Sequence, residues 1–323
     1  MHILVYIAGV PVWTIPPSQV DRLQHLFPQH RFVNAASAQQ ALDEVAGADV
    51  VFSSLVTPPL LAAATHLRWI HSPAAGVGRM LFRELRASDV VLTNSSGLHA
   101  IPIAEHVFGL AVALARKFQV AVRRQSEHRW AQEEIGHVGL LHGHRLGIVG
   151  LGAIGSAVAR LGVAFGMRVA AVRRRPEMPG PPGVEQVLGT SRLDELLATS
   201  DYVVIAAPLT AETGGLIGSR ELRLMKPAAF LINVARGKLV REHELVDELR
   251  KGTIAGAGLD VLDHEPLDPA SPLWDLPNVI ITPHTSGFFA GYWDAVTDMF
   301  ADNLRRYDRR EPLFNVVDKE AGY

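Results

Sequence analysis

The chain has 323 residues, 48% of them apolar, with a formal net charge of −2. That length suggests two domains, and near neutrality leaves no footprint for nucleic acid or an anionic membrane. With no cysteine at all, disulfide frameworks, zinc–thiolate sites and thiol nucleophiles are excluded.

Met1–Val10 has no basic n-region and no small-residue cleavage pattern, so it reads as a first strand rather than a signal peptide. Short Val- and Ile-rich runs predict strands at His2–Tyr6, Asp49–Phe52, Arg68–His71 and Val90–Thr93. Between them Gln19–Phe27, Ala38–Val45 and Pro59–Ala64 read as helices. This alternation implies a parallel sheet covered on both faces. A long helix is expected over Ala100–Arg124. Its apolar stretch Val107–Ala115 is bounded by Glu105, His106 and Arg116, too short to span a bilayer. No membrane or nucleic-acid partner is expected, and the protein is expected in the cytoplasm.

The densest signal follows. Arg145–Val149 reads as a buried strand, Ala153–Phe165 as an Ala-rich helix and Arg168–Val172 as a second strand. Gly150, Gly152 and Gly155 fit G-x-G-x-x-G between the first strand and the helix. In such a turn the first glycine bends the chain, the second admits a pyrophosphate and the third packs helix on strand. The helix N-terminus then offers free N–H groups and a favourable dipole to the phosphates.

The second strand speaks to the cofactor. An acid that would hold the ribose 2′-OH of NAD is expected about 20 residues past the glycines. At that place stand Arg173, Arg174 and Arg175, and no acid occurs before Glu177. A carboxylate repels a 2′-phosphate, whereas a guanidinium binds it through two parallel hydrogen bonds. NADP(H) is therefore expected in preference to NAD(H), with use of NAD(H) left open. Pro176–Gly183 reads as a loop.

Later strands are predicted at Tyr202–Ile205, Phe230–Asn233, Ile254–Gly258 and Val279–Thr282, and a last helix at Tyr292–Asp308. The dinucleotide unit is thus expected to be inserted into another α/β domain. Residues 1–97 plus 288–323 would form the substrate domain and 98–287 the dinucleotide-binding domain, with hinges near Gly97 and Gly287. A cleft between domains is the natural place for substrate.

Three polar signals follow strands of the cofactor domain, where open α/β sheets hold ligands. They are Arg236-Gly237 after Phe230–Asn233, Asp260 with Glu265-Pro266, and Pro283-His284. Singly, each could be a surface ion pair, a turn cap or a structural turn. Together they suit reduction of a 2-oxo acid. Arg binds a carboxylate in two-point fashion, and His donates a proton near neutral pH. A carboxylate beside the His favours its protonated form and fixes its orientation. His128, His137, His142 and His144 are too loosely spaced for a metal site, and none is expected. The aromatics of Phe288–Trp293 could wall a pocket, but core packing of the last helix explains them as well.

On these residues the chain resembles the D-isomer-specific 2-hydroxyacid dehydrogenase family over essentially its whole length. The resemblance implies two doubly wound parallel-sheet domains, a Rossmann cofactor domain inserted into a flavodoxin-like substrate domain. Ile232–Gly237 matches I-N-x-x-R-G, implying Arg236 as substrate arginine and Val234 and Ala235 as cofactor contacts. Leu259–Pro266 matches L-D-V-x-x-x-E-P, implying Asp260 at the nicotinamide side and Glu265 as partner of the acid/base. Thr282–His284 matches T-P-H, with His284 as proton donor. Ala153 and Ile154, beside the glycines, and Pro208 and Thr213, in and beyond the P-L-T segment, are further implied cofactor contacts. Ala74–Val77 resembles a loop that binds the substrate carboxylate through the backbone of Ala75, Gly76 and Val77. Gly78 stands where the family commonly has Asp. Ala104-Glu105-His106 resembles the start of an inter-domain helix, with Glu105 and His106 read as packing residues.

The implied activity is reduction of a small 2-oxo acid to its D-2-hydroxy acid with hydride from NADPH. A dedicated glyoxylate/hydroxypyruvate reductase is a narrower alternative, and a nucleotide-sensing corepressor on the same fold is one of another class. Glu265 in place of Gln argues against formate oxidation. Lys117–Gly136 resembles a dimerisation arm, implying a homodimer.

Overall fold

The computed structural model describes residues 1–7 and 13–322. Residues 8–10 of the expected first-strand segment, and Tyr323, lie outside the described residues. Two compact units emerge, one of Met1–Leu98 with Phe289–Tyr323, the other of His99–Phe288.

The first unit runs β1 (His2–Tyr6), α1 (Pro17–Leu26), β2 (Arg31–Asn34), α2 (Ala38–Val45), β3 (Val50–Ser53), α3 (Pro58–Ala63), β4 (Trp69–Ser72), α4 (Arg83–Ala87) and β5 (Val91–Asn94). Its parallel sheet has the order β2-β1-β3-β4-β5, the flavodoxin-like arrangement. The helix over Tyr292–Asp308 (α12) returns to this unit. There Phe300 stacks on Phe52 at 4.5 Å and on Trp69 at 5.3 Å. Helix starts follow local chemistry. Ser37 Oγ accepts from Gln40 N at 3.1 Å to open α2, and Thr57 caps α3 with Pro58 in its first turn. That proline starts α3 one residue before the predicted Pro59.

The second unit runs α5 (Ala100–Ala115), α6 (Phe118–Ser126), α7 (Gln132–Ile135), β6 (Arg145–Val149), α8 (Ala153–Ala164), β7 (Arg168–Val172), β8 (Val184–Leu188) and α9 (Leu193–Thr199). It continues with β9 (Tyr202–Ile205), α10 (Ser219–Leu224), β10 (Phe230–Asn233), α11 (Glu242–Arg250), β11 (Gly256–Leu259) and β12 (Val279–Ile281). The parallel sheet is ordered β12-β11-β10-β9-β6-β7-β8. Its chain reverses direction of progress between β6 and β9, so ligands are expected at the carboxyl ends of those strands. Alternate residues of β9 feed two cores, Val203 and Ile205 on one face, Tyr202 and Val204 on the other.

One predicted element is corrected. The single helix expected over Ala100–Arg124 is two, because Lys117 adopts a left-handed conformation with φ 55°. α5 buries residues along most of its length, whereas α6 buries none, so one straight rod would not satisfy both. Lys117 Nζ secures the break by donating to Ile135 O at 2.7 Å. Two edge strands, β2 and β8, carry no predicted strand.

Candidate active site

The turn from β6 into α8 is built by its glycines. Gly150 has φ 99°, and a Cβ there would fall 2.6 Å from Ala207 N. A Cβ on Gly155 would fall 2.0 Å from Gly150 O, so turn and helix touch through backbone alone. Around Gly152, by contrast, nothing lies within 4 Å of a Cβ position. Gly152 is also the N-cap of α8, with no side chain capping the first-turn N–H groups. Ala153 is exposed and Ile154 half-buried at that end. Open space before uncapped N–H groups fits a pyrophosphate.

Arg173 follows β7 directly. Its N–H donates to Leu188 O at 3.0 Å and its Nη2 to Pro179 O at 3.4 Å. Its Nε is buried without a hydrogen-bond acceptor among the described residues. Arg174 is exposed. The Glu212 carboxyl is held below its ordinary range first by the Thr210 hydroxyl, and the Arg174 charge adds to this. Arg174 therefore sits near the loop after β9. Thr213 closes that loop, donating to Pro208 O at 2.7 Å and accepting from Thr210 N at 2.7 Å.

Arg236 is presented by an Asn turn. Asn233 Oδ1 accepts from Ala235 N at 3.1 Å and its Nδ2 donates to Arg236 O at 3.0 Å. Val234 and Ala235 are buried, while the Arg236 side chain is exposed and donates to Ala235 O at 2.6 Å. Gly237 lies against Leu262, and a Cβ there would be 1.9 Å from the Leu262 carbonyl. Glu265 Oε1 accepts from Leu262 N at 3.0 Å, and Glu242 Oε2 from Asp263 N at 3.0 Å. The loops carrying Arg236 and Glu265 are thus packed together.

His284 joins them. Its Nδ1 lies 2.7 Å from Glu265 Oε2. The carboxylate can only accept, so Nδ1 carries the proton and Nε2 is left for another partner. The residue has φ 54°, and its N–H donates to Asp260 O and Thr282 O, each at 2.9 Å. Asp260 is 1% exposed. It accepts from Thr282 Oγ1 at 2.6 Å, Thr285 N at 2.9 Å and Ser286 N at 3.1 Å. Burial alone would raise its pKa. The hydrogen bonds from Ser286, Thr282 and Thr285 outweigh burial and hold the carboxyl below its ordinary value.

Two histidines reach the same loop; no motif marks His99, and His106 lies in a segment expected only to pack. His106 Nε2 is 2.9 Å from Thr282 Oγ1 and 3.6 Å from Asp260 Oδ1. His99 Nδ1 is hydrogen-bonded to Gly287 O at 3.2 Å. Glu105 is exposed, so the packing role expected of it is not seen, and His106 does more than pack. Both histidines stand on one side of an apolar helix, and that spacing is the signal that could have found them.

In the first unit, Asn94 Nδ2 donates to Ala75 O at 2.7 Å and Ser95 N to Ala74 O at 3.4 Å. The N–H groups of Ala75, Gly76 and Val77 have no acceptor among the described residues. Tyr292 is buried, its hydroxyl donating to Pro73 O at 2.8 Å, and Phe289 and Trp293 pack on the same core. Among the described residues no cluster of three or more His, Cys, Asp or Glu could hold a metal ion, and no helix is long and apolar enough to cross a membrane.

Comparison with known proteins identifies the family. The family model described as "D-isomer specific 2-hydroxyacid dehydrogenase, NAD binding domain" matches residues 108–286. A glyoxylate reductase of Korarchaeum cryptofilum is 34% identical over 316 residues, covering 95% of this chain and 94% of that protein. A D-isomer specific 2-hydroxyacid dehydrogenase of Xanthobacter autotrophicus Py2, solved with NADPH and MES, is 30% identical with a TM-score of 0.86, covering 99% of each chain. An NADPH-dependent glyoxylate/hydroxypyruvate reductase of Sinorhizobium meliloti, solved with NADP and sulfate, is 25% identical with a TM-score of 0.84, covering 100% of this chain and 99% of that one.

Proposed function

Since the chain belongs to the D-isomer specific 2-hydroxyacid dehydrogenase family, we propose that it reduces a small 2-oxo acid to the D-2-hydroxy acid, with NADPH preferred over NADH. The observation that carries this reading is the 2.7 Å contact of His284 with Glu265, on loops packed against the one bearing Arg236.

When bound, the nicotinamide would supply the hydride. Gly150, Gly152, Ala153, Ile154 and Gly155 hold the pyrophosphate, and Arg173 with Arg174 hold the 2′-phosphate. Pro208, Thr213, Val234, Ala235 and Asp260 would be the remaining cofactor contacts. Arg236 binds the substrate carboxylate, and the Ala75, Gly76 and Val77 N–H groups are a further carboxylate contact. His284 gives the proton on Nε2 to the carbonyl oxygen, while Glu265 keeps Nδ1 occupied and the ring oriented. Glyoxylate and hydroxypyruvate are favoured substrates, supported by the names of the relatives. A cytoplasmic location goes with this reaction.

The active form is a homodimer in this reading. α6 buries no residue, and Phe118, Val122 and Trp130 are exposed at 50%, 64% and 92%. Arg124 braces the segment, bonding Glu134 and Glu127. An ordered arm with an uncovered apolar face suits a second copy of the chain.

Initial rates over a panel of 2-oxo acids with NADPH and NADH test the proposal. Turnover of glyoxylate, hydroxypyruvate or pyruvate is expected, and absence of turnover with every 2-oxo acid would overturn it.

A further inference from the structure

The loop from Thr282 to Gly287 carries His284, and two histidines, His99 at the N-cap of α5 and His106 within it, meet its two ends. His99 and His106 stand at i and i+7, two turns apart on one side of the helix. At the first end, Thr282 Oγ1 donates to Asp260 Oδ1 at 2.6 Å, because a carboxylate can only accept. The Thr282 oxygen must then accept from His106, so His106 carries its proton on Nε2. At the other end the partner is a carbonyl, Gly287 O, so His99 carries its proton on Nδ1. Between them Asp260 holds the N–H groups of Thr285 and Ser286.

Both rings stay neutral near pH 7. Burial lowers the pKa of His106, against the opposing pull of Asp260. Burial also lowers that of His99, where the Gly287 carbonyl opposes and the Arg236 charge assists. Each neutral ring then has one N–H, and each spends it on the loop.

We propose that His99 and His106 are positioning residues that hold the His284 loop in place for proton donation. This rests on the reading of His284 as proton donor. Neither ring needs to touch substrate or cofactor. A loop pinned at both ends and its middle keeps His284 Nε2 at one distance from the reacting oxygen, and small misplacements at such a site are costly.

The test compares replacements that keep the donor with replacements that remove it. His106→Gln keeps an amide nitrogen near the place of Nε2, and His106→Leu removes the donor at similar volume. His99→Asn and His99→Leu make the equivalent pair for Nδ1. Each Leu variant should lose about tenfold or more in kcat, and each amide variant should stay within about threefold of wild type. The solvent deuterium isotope effect on kcat should rise in the Leu variants, and KM for NADPH should not change. Amide hydrogen exchange in residues 282–288 should quicken in the Leu variants and not in the amide variants. On a His284→Ala background the Leu replacements should cost no further rate.

Wild-type kcat in both Leu variants overturns the inference. So does equal loss in Leu and amide variants with an unchanged isotope effect, the pattern expected from lost volume or folding. If the wild type reduced no 2-oxo acid, the reading of His284 would fall instead. The exchange measurement needs no turnover, and unchanged exchange in the Leu variants would still overturn the clamp by itself.

Discussion

Gly237 and Leu262 touch so closely that a single added carbon at position 237 would lie 1.9 Å from the Leu262 carbonyl carbon. This contact fixes the spacing of Arg236 from the Glu265–His284 pair. Gly237→Ala must push the two loops apart. Overpacking of this kind costs about 1–3 kcal/mol, so a lower thermal midpoint is expected with a loss of kcat. The affinity for NADPH, measured by fluorescence titration, should fall much less than kcat. A Gly237→Ala enzyme with wild-type kcat and melting temperature would show that the contact does not set the site.

Arg236→Lys keeps the charge and loses the planar two-point geometry. KM for the oxo acid should rise and kcat should fall, by up to about 10²-fold, with little change in the Kd for NADPH. Simple ketones should be poor substrates for the wild type and less sensitive to the change. Equal reduction of simple ketones and glyoxylate by the wild type would remove the carboxylate role given to Arg236.

In the proposed reading, cofactor choice turns on Arg173. A charge-assisted contact is worth roughly 1.5–3 kcal/mol, or about ten- to a hundredfold in affinity. NADPH should exceed NADH in kcat/KM by a factor of that order, and Arg173→Asp should erase or reverse the preference. Equal use of both cofactors by the wild type would refute it.

His71 makes the first unit acid-sensitive. The ring is fully buried between Phe52, Trp69 and Phe300, with Nδ1 2.7 Å from Thr93 Oγ1. Burial pushes its pKa down from 6.5 to about 3. Between those values the unfolded chain binds a proton that the folded chain refuses. The contribution of His71 is therefore full above pH 6.5 and falls by about 1.4 kcal/mol per pH unit below it, down toward pH 3. His71→Gln should be less stable than wild type at pH 7.5 and lose less stability between pH 7 and 4 in urea titrations. Parallel stability curves for the two proteins would contradict the assignment.

The exposed arm predicts assembly. Val122→Glu and Trp130→Glu should shift the protein from dimer to monomer in light scattering, while NADPH still binds. A wild type that is monomeric at micromolar concentration would end the dimer reading.

What the sequence discloses depends on burial. β6, β9 and β10 are central parallel strands, and their unbroken apolar runs are legible as such. β2 and β8 lie at sheet edges, and Arg31-Phe-Val-Asn34 and Val184-Glu-Gln-Val-Leu188 leave residues exposed, so neither reads as a strand. Nothing at Lys117 announces a break, since neither Gly nor Pro stands there. In the site, Arg236, Glu265 and His284 are legible because their residue types and strand-end positions suit one reaction. Their mutual support is not. The Gly237–Leu262 packing and the His106–Thr282–Asp260 chain join residues far apart in sequence, and only folding puts them together.

The left-handed backbone at His284, φ 54°, narrows the choice of side chain for the acid proposed at this position. Outside glycine, that region costs most side chains on the order of 1 kcal/mol, and Asn and Asp, with His, occupy it more readily than others. A lysine or tyrosine would carry a usable proton, but it would have to hold a backbone geometry that suits it poorly. Conversely, His284→Asn is the replacement that removes the proton while keeping a residue at ease in the turn. It therefore separates chemistry from conformation more cleanly than alanine. The shape of the main chain here restricts which side chains evolution or design can use as the acid before any question of reactivity arises.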